Sequence, residues 1–251
     1  MPLTFTKFFN SYEKVPLEAI KNVNLMSRVD EKFVFHQSKL SDILSQISYY
    51  YKIVTINNKM VQKYNTQYLD TIDKLFFHQH HNGQYTRNKV RFREYIDSGL
   101  CFLEVKQKNN KKVTIKKRIR VASIPTGGLT VDQKEYIDAI VGGNNILTSQ
   151  QTVNFHRMTF VHKKNLERLT IDINLSYSFK THNGQFKNLV IAELKKNKSQ
   201  SNSNFKKILK KHKVQPLRFS KYCMTTLQID KGVKYNRFKE KLLLIKKILK
   251  T

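Results

Sequence analysis

Lys89-Val90-Arg91-Phe92-Arg93-Glu94-Tyr95 is the stretch from which the rest of the chain can be read. In a β-strand successive side chains point to opposite faces, so Lys89, Arg91, Arg93 and Tyr95 share one side while Val90 and Phe92 share the other. A half-buried strand ordinarily shows mixed polar residues to water. This one shows a row of cations, and the pattern returns further along. In 112–121, Lys112, Thr114, Lys116, Arg118 and Arg120 oppose Val113, Ile115, Ile119 and Val121, with Lys117 interrupting the apolar set. In 166–175, Arg168, Thr170, Asp172 and Asn174 oppose Leu169, Ile171, Ile173 and Leu175. Glu104 and Lys106 oppose Leu103 and Val105, and Glu193 and Lys195 extend one face of 189–195.

Outward from these strands the chain reads as α+β, dominated by antiparallel hairpins. Apolar spacing predicts helices over Leu17–Val23 and Leu40–Ile47, the second with Ser38 as N-cap, and a strand over Arg28–Phe35 between them. Further strands are expected at 60–71, 75–80, 85–95, 100–107, 112–121, 153–163, 166–178 and 187–195. His81-Asn82-Gly83-Gln84 and Asn183-Gly184 read as hairpin turns, as do Asp97-Ser98-Gly99 and Asn109-Asn110. A helix is expected near Val131–Val141, a loop over Lys195–Asn204, and a basic amphipathic helix over Val233–Lys250. No repeat or linker divides the chain, so residues 1–251 are expected to form a single domain.

Two arrangements satisfy the cationic faces. Each could simply meet solvent, as antiparallel sheets allow. A flat sheet of about eight such strands would carry unrelieved repulsion, however. Closing the strands into an antiparallel β-barrel turns the apolar faces outward beneath covering helices and lines a central tunnel with charge. Such a lumen tolerates its charge when a polyanion, water and a few carboxylates neutralise it.

The bulk numbers point the same way. Lys+Arg number 47 against Asp+Glu 18, a formal net charge of +29 over 251 residues, and so basic a chain is suited to an anionic partner. Nucleic acid, an anionic membrane and polyphosphate all qualify. Cys101 and Cys223 do not make a disulfide framework, which suggests a reducing compartment. Met1-Pro2-Leu3-Thr4-Phe5 lacks the pattern of a signal peptide, and no apolar run approaches the roughly 20 residues of a membrane helix. A cytoplasmic location is the expectation.

An ordered set of motifs runs along the chain. The set is Met26-Ser27-Arg28-Val29-Asp30-Glu31-Lys32-Phe33, Tyr68-Leu69-Asp70-Thr71, His80-His81-Asn82-Gly83, Lys89–Tyr95, and Phe102-Leu103-Glu104-Val105-Lys106. It continues through Phe155-His156-Arg157, Arg168–Asn174, Ala192-Glu193-Leu194-Lys195 and Phe219-Ser220-Lys221-Tyr222, covering about 25–225. The ordered set resembles the bacterial branch of the VTC domain, a family that belongs to the triphosphate tunnel metalloenzymes and whose eukaryotic members are polyphosphate polymerases. The resemblance implies a closed tunnel barrel and transfer of the γ-phosphoryl group of ATP to a growing polyphosphate chain.

By that resemblance Arg91, Arg93, Lys106, Arg157, Arg168 and Lys221 grip the triphosphate, with Lys32, Lys116, Arg118 and Lys195 extending the grip. Arg supplies planar multi-donor contacts to phosphate and Lys a compact charge. Glu193 matches the family's metal-binding glutamate for Mn²⁺ or Mg²⁺, and Glu104 either supports that site or pairs with Lys106. The partners implied are ATP and inorganic polyphosphate, with room for a separate membrane protein.

Hydrolytic tunnel enzymes typically begin Glu-x-Glu-x-Lys. Here Arg28-Val29-Asp30-Glu31-Lys32 puts Arg28 in place of the first glutamate, which leans toward transfer over hydrolysis. A non-catalytic polyphosphate-binding subunit and a nucleic-acid-binding module are the competing readings, the latter disfavoured because the cations are spread over strand faces. His78, His80 and His81 read as a solvated hairpin end in preference to a metal cluster. The lysines of Lys206–Lys213 and of the terminal helix read first as solvated faces. Cys101 and Cys223 read as buried small residues.

Overall fold

A computed structural model of the chain describes residues 8–20, 28–111, 113–143, 145–200 and 202–250. Met1–Phe5, Met26, Ser27 and Lys112 lie outside the described residues, as does 21–23 of the first expected helix, of which Leu17–Ile20 forms a short 3-10 turn. The strands are β1 (Lys14–Pro16), β2 (Arg28–His36), β3 (Tyr51–Thr55), β4 (Val61–Asp70), β5 (Arg87–Tyr95), β6 (Leu100–Lys108), β7 (Thr114–Val121), β8 (Thr148–His162), β9 (Glu167–Phe179), β10 (His182–Gln185) and β11 (Leu189–Asn197). The helices are α1 (Leu40–Ile47), α2 (Leu75–His81), α3 (Val131–Val141), α4 (Asn204–Lys211), α5 (Lys221–Ile229) and α6 (Lys239–Leu249).

One sheet carries the fold, in the order β2-β11-β9-β8-β4-β5-β6-β7, every neighbouring pair antiparallel. The sheet curls. Lys106 of β6 lies in the field of Lys32, Glu193 and Lys195 from β2 and β11, at the other end of the strand order. The ladder does not close by hydrogen bonds, because among the described residues no pairing joins β2 to β7. Instead Pro216 bridges to Phe33, and Leu217 N–H donates to the Lys32 carbonyl at 2.7 Å, covering the open edge of β2. β7 forms the other edge, where its many lysines and arginines discourage pairing with a second sheet.

Strand alternation decides the layers. On the convex face Phe33, Phe35, Ile171, Ala192 and Leu194 pack beneath α1 and α4. Farther round, Val90, Phe92, Leu103 and Val105 pack beneath α3. All of these side chains are buried, and each of the larger ones is worth about 1.5–3 kcal/mol. The expectation of helices outside a charged interior holds for α1, α3 and α4. The concave face has an apolar half as well, where Tyr64, Tyr68, Val153, Phe155 and Ile191 meet Tyr222 and Met224 of α5. The lumen is therefore charged over one part and plugged by α5 over another.

The structure corrects four local expectations. The expected strand 75–80 is helix α2, so His81-Asn82-Gly83 ends a helix and Gly83 takes φ +70° as it leaves. Asp70 drives this, its carboxylate accepting the N–H groups of Thr71 (2.8 Å), Phe76 (2.8 Å) and Phe77 (2.9 Å). Asn183-Gly184 lies within β10, and the hairpin turns at Lys180-Thr181, with Lys180 at φ +50°. Ser38 sits inside a 3-10 turn and not at the N-cap of α1, its N–H donating to His36 Nδ1 at 3.2 Å. Finally, β9 bulges at Asn174 (φ +55°), where the pairing with β8 shifts register between Asn154 and His156. The extra residue turns Asn174 outward onto His156 Nδ1, at 3.2 Å, and brings Leu175 to the concave side.

Candidate active site

The concave face gathers cations around carboxylates on neighbouring strands. On β6 the Glu104 side chain is only 1% exposed. Its Oε2 accepts Arg91 Nε at 2.8 Å and Nη2 at 2.6 Å, and its Oε1 accepts Lys116 Nζ at 2.7 Å. Arg93 Nη1 stands 3.9 Å away. Burial would raise the Glu104 carboxyl, but Arg91, Arg93 and Lys116 hold it well below the usual carboxylate range. Lys106, expected as an alternative partner of Glu104, is not its partner.

Asp172 on β9 forms a second hub. Arg157 reaches it from β8 with Nε on Oδ1 at 2.6 Å and Nη2 on Oδ2 at 2.7 Å, and Lys221 from the first turn of α5 donates to Oδ2. Burial opposes ionisation of Asp172, yet Arg157 and Lys221 bring its carboxyl down to about 2. The third hub is Glu193 on β11, with Lys32 Nζ at 2.7 Å and Lys195 donating to its Oε1. Lys195 also donates to Asp30 Oδ2 at 2.8 Å, so Glu193 and Asp30 converge on one ammonium. Lys32 and Lys195 hold Glu193 well below its ordinary value against burial.

The remaining expected ligands lie on the same face. Lys106 reaches solvent in the concavity yet is crowded by protein, and burial together with Lys89, with help from Lys32 and Lys195, pushes its ammonium down to about 8. Arg118 lies over the Phe102 ring at 4.6 Å. Arg168 stands in register with Lys195 on β11 and Val161 on β8. The curled sheet therefore brings the residues expected from sequence to one surface.

Several contributors escape a reading of the sequence. Asp172 stands out there only as a face residue and Asp30 only as a carboxylate able to assist a metal, though each pairs with a cation expected to bind phosphate. Lys89 falls on the cationic face without a role, and its Nζ donates to Ser220 Oγ at 3.0 Å. Its strand parity with Arg91 and Arg93 is the available signal. Tyr64 and Phe155 stack within the site; Phe155 carries a signal only as part of the Phe155-His156-Arg157 motif, and Tyr64 carries none.

The histidines are not a solvated turn. His81 is 4% exposed, and His80 packs on Phe238 with ring centroids 6.2 Å apart. Burial, then Lys89 and Arg87, push the His80 imidazole well below its ordinary value, which favours its neutral form. Among the described residues no three His, Cys, Asp or Glu side chains form a ready-made metal cage. A hard divalent ion is commonly held by one or two carboxylates plus substrate phosphates, and the adjacent pair Glu193 and Asp30 fits that donor set. Cys101 and Cys223 are free and buried, as expected.

The family model for the VTC domain matches residues 27–229. No curated protein sequence matches the chain. Among solved structures, a candidate adenylate cyclase from Bacillus halodurans is 13% identical, with 77% of this chain and 94% of that one covered at a TM-score of 0.47. A candidate adenylate cyclase from Vibrio parahaemolyticus is 11% identical, covering 79% and 98% at 0.44. A candidate adenylyl cyclase from Hippeastrum, described as having a dominant triphosphatase activity, is 11% identical, covering 78% and 93% at 0.47. Likenesses of this strength assign no activity.

Proposed function

The chain belongs to the VTC domain family, and from that premise we propose that it transfers the γ-phosphoryl group of ATP to the end of an inorganic polyphosphate chain. The observation that carries this reading is the convergence of Arg91, Arg157, Lys32, Lys116, Lys195 and Lys221 on the carboxylates of one concave sheet face. A surface built this way suits an extended polyanion. Its cations are pre-placed, and its carboxylates limit their mutual repulsion.

Phosphoryl transfer needs alignment and charge compensation more than covalent help. A terminal phosphate oxygen of the acceptor, already ionised, attacks the γ-phosphorus, so no general base is needed. The bond from the γ-phosphorus to the bridging oxygen breaks, ADP leaves with that electron pair, and the chain grows by one phosphate. Arg91, Arg93, Arg157 and Arg168 would hold the non-bridging oxygens, with Lys106 and Lys221 compensating charge on acceptor and leaving group. Lys32, Lys116, Arg118 and Lys195 would guide the rest of the chain. Glu193 and Asp30 would hold Mn²⁺ or Mg²⁺, which when bound neutralises phosphate charge. Glu104, with both oxygens engaged by cations, serves this reading better as the anchor of Arg91 and Lys116 than as a metal ligand.

Asp30 favours a second reading. It keeps the second of the two carboxylates of the hydrolytic pattern, converging with Glu193 on Lys195, and a water in place of the acceptor phosphate would make the protein a triphosphatase. Among the described residues no helix is long and apolar enough to cross a membrane. A separate membrane protein would serve as partner where polyphosphate must be moved across one. Purified protein incubated with γ-³²P-ATP and Mn²⁺ decides between the readings on a polyacrylamide gel. A lengthening ladder absent from Arg91→Ala supports the polymerase, orthophosphate alone supports the triphosphatase, and salt-sensitive polyphosphate binding without turnover leaves a binding subunit.

A further inference from the structure

We infer that Tyr64 and Phe155 form an aromatic platform that positions three cations of the site, Arg93, Arg157 and Lys221, without neutralising them. The rings are register partners on β4 and β8, stacked with centroids 5.0 Å apart and planes 14° from parallel. Arg157 Cζ lies 5.0 Å from the Tyr64 centroid and 5.2 Å from that of Phe155. Arg93 Cζ lies 5.6 Å and 5.8 Å from the same two centroids, and Lys221 Nζ lies 4.4 Å from that of Phe155. Two rings thus serve three cations arriving from β5, β8 and α5.

The rings also belong to the apolar plug under α5, and that membership accounts for their burial at 7% and 1% exposure. It does not account for cations ranged over them. An apolar plug gains nothing from ammonium and guanidinium groups, whereas those groups, stripped of water, gain from the negative potential over a ring. The distinction from the carboxylate hubs matters for binding. A carboxylate cancels a unit of charge that an incoming phosphate would otherwise see, while a ring offers attraction and no net charge. Arg157 and Lys221 also share the Asp172 carboxylate, so the difference is carried by Arg93. Its nearest carboxylate contact is Glu104 at 3.9 Å, and its Nε donates to the neutral Thr66 hydroxyl at 3.4 Å. Between the two arginines, which repel one another, the platform fixes the spacing of charge offered to an anion.

The consequence for substrate rests on the polyanion-binding reading; the platform itself does not. Phenylalanines bearing one, two and three fluorines, placed at 155 in the full chain, drain the ring's negative face with little change of shape. Two quantities follow the series: the affinity for tripolyphosphate, and the solvent-exchange rate of the Arg93 Nε–H in ligand-free protein. Affinity is expected to fall about tenfold across the series, with a severalfold rise in exchange rate. A flat response of both quantities, with folding intact, overturns the platform. A wild-type protein that ignores tripolyphosphate while Arg93 exchange still climbs with fluorination keeps the platform and removes the functional reading.

Discussion

Lys221 and Arg157 meet on one carboxylate, Asp172, although one sits on a helix after the last long strand and the other in the middle of the sheet. This pins α5 across the concave face by an ionic contact as well as by packing. The pair is buried enough that Asp172→Asn leaves two cations without their counter-ion, which should cost about 3 kcal/mol, or roughly 10 °C in a chain of this size. A polyanion can stand in for the lost carboxylate. Tripolyphosphate is therefore expected to raise the melting temperature of Asp172→Asn by more than it raises that of the wild type. Differential scanning calorimetry with and without the anion checks this, and an equal or smaller rise in the variant would show that Asp172 does not compete with ligand.

The same pair has an acid limb. Asp172 has a folded value near 2 against an ordinary 3.8, so its contribution to stability is fully present above the ordinary value and is lost as pH falls from about 3.8 toward 2. Urea midpoints measured across that window should converge for wild type and Asp172→Asn. A gap that persists at pH 2 would mean the loss comes from packing.

Lys106 sets a basic limb of opposite character. Its ammonium is pushed from 10.5 to about 8, so below pH 8 the folded protein bears the full penalty of an uncomfortable charge, which is relieved as pH rises from 8 to 10.5. Stability gained from this group should therefore rise over the window in which its grip on phosphate fades. Binding an anion restores the proton. Calorimetric titration with tripolyphosphate near pH 8.5, in buffers of different ionisation enthalpy, should show net proton uptake in the wild type and much less in Lys106→Arg. Equal uptake in both would assign the proton elsewhere.

Much of this layout is legible in the order of the residues alone. Period-two alternation in 87–95, 100–108 and 114–121 sorts the cations onto one face because each of these strands is regular along its length. Alternation fails where a single residue changes the local rule. Asn174 adopts a left-handed backbone that shifts β9 by one residue, so alternation puts Leu175 on the wrong face. Leu75-Phe76-Phe77 is apolar without period, and the helix it forms depends on Asp70, which also binds the Tyr222 hydroxyl 152 residues away. Among charged residues the pairing is hidden as well. Glu104 and Lys106 share a face, but the curl and the β5 and β7 neighbours decide that Arg91 and Lys116 take the carboxylate.

Glu193 and Glu104 should part company on metal. Glu193 has Asp30 beside it across a shared lysine, while both Glu104 oxygens are held by cations. Glu193→Gln is expected to weaken Mn²⁺ affinity in the presence of tripolyphosphate by about tenfold or more. Glu104→Gln is expected to leave metal affinity nearly unchanged but lower thermal stability and anion affinity, because Arg91 loses a two-contact partner. Manganese titrations followed by electron paramagnetic resonance separate the two. A comparable loss of metal in Glu104→Gln would move the ion toward β6.

Asn174 tests how the concave face is partitioned. At φ +55° a β-branched side chain is strained, so Asn174→Val should cost about 2 kcal/mol through the backbone. Loss of the contact with His156 adds to that cost. Asn174→Gly keeps the conformation available and should remain within about 1 kcal/mol of wild type. The bulge separates Asp172, which faces the cations, from Leu175, which faces the plug, on one continuous strand. If the valine variant escapes strain by removing the bulge, Leu175 turns outward and the plug under α5 loses a member. Hydrogen exchange of the α5 amides would then accelerate together with the drop in the urea midpoint. A valine variant as stable as wild type, with α5 equally protected, would show that the register of β9 is fixed by its neighbours β8 and β11 and not by the conformational preference of Asn174.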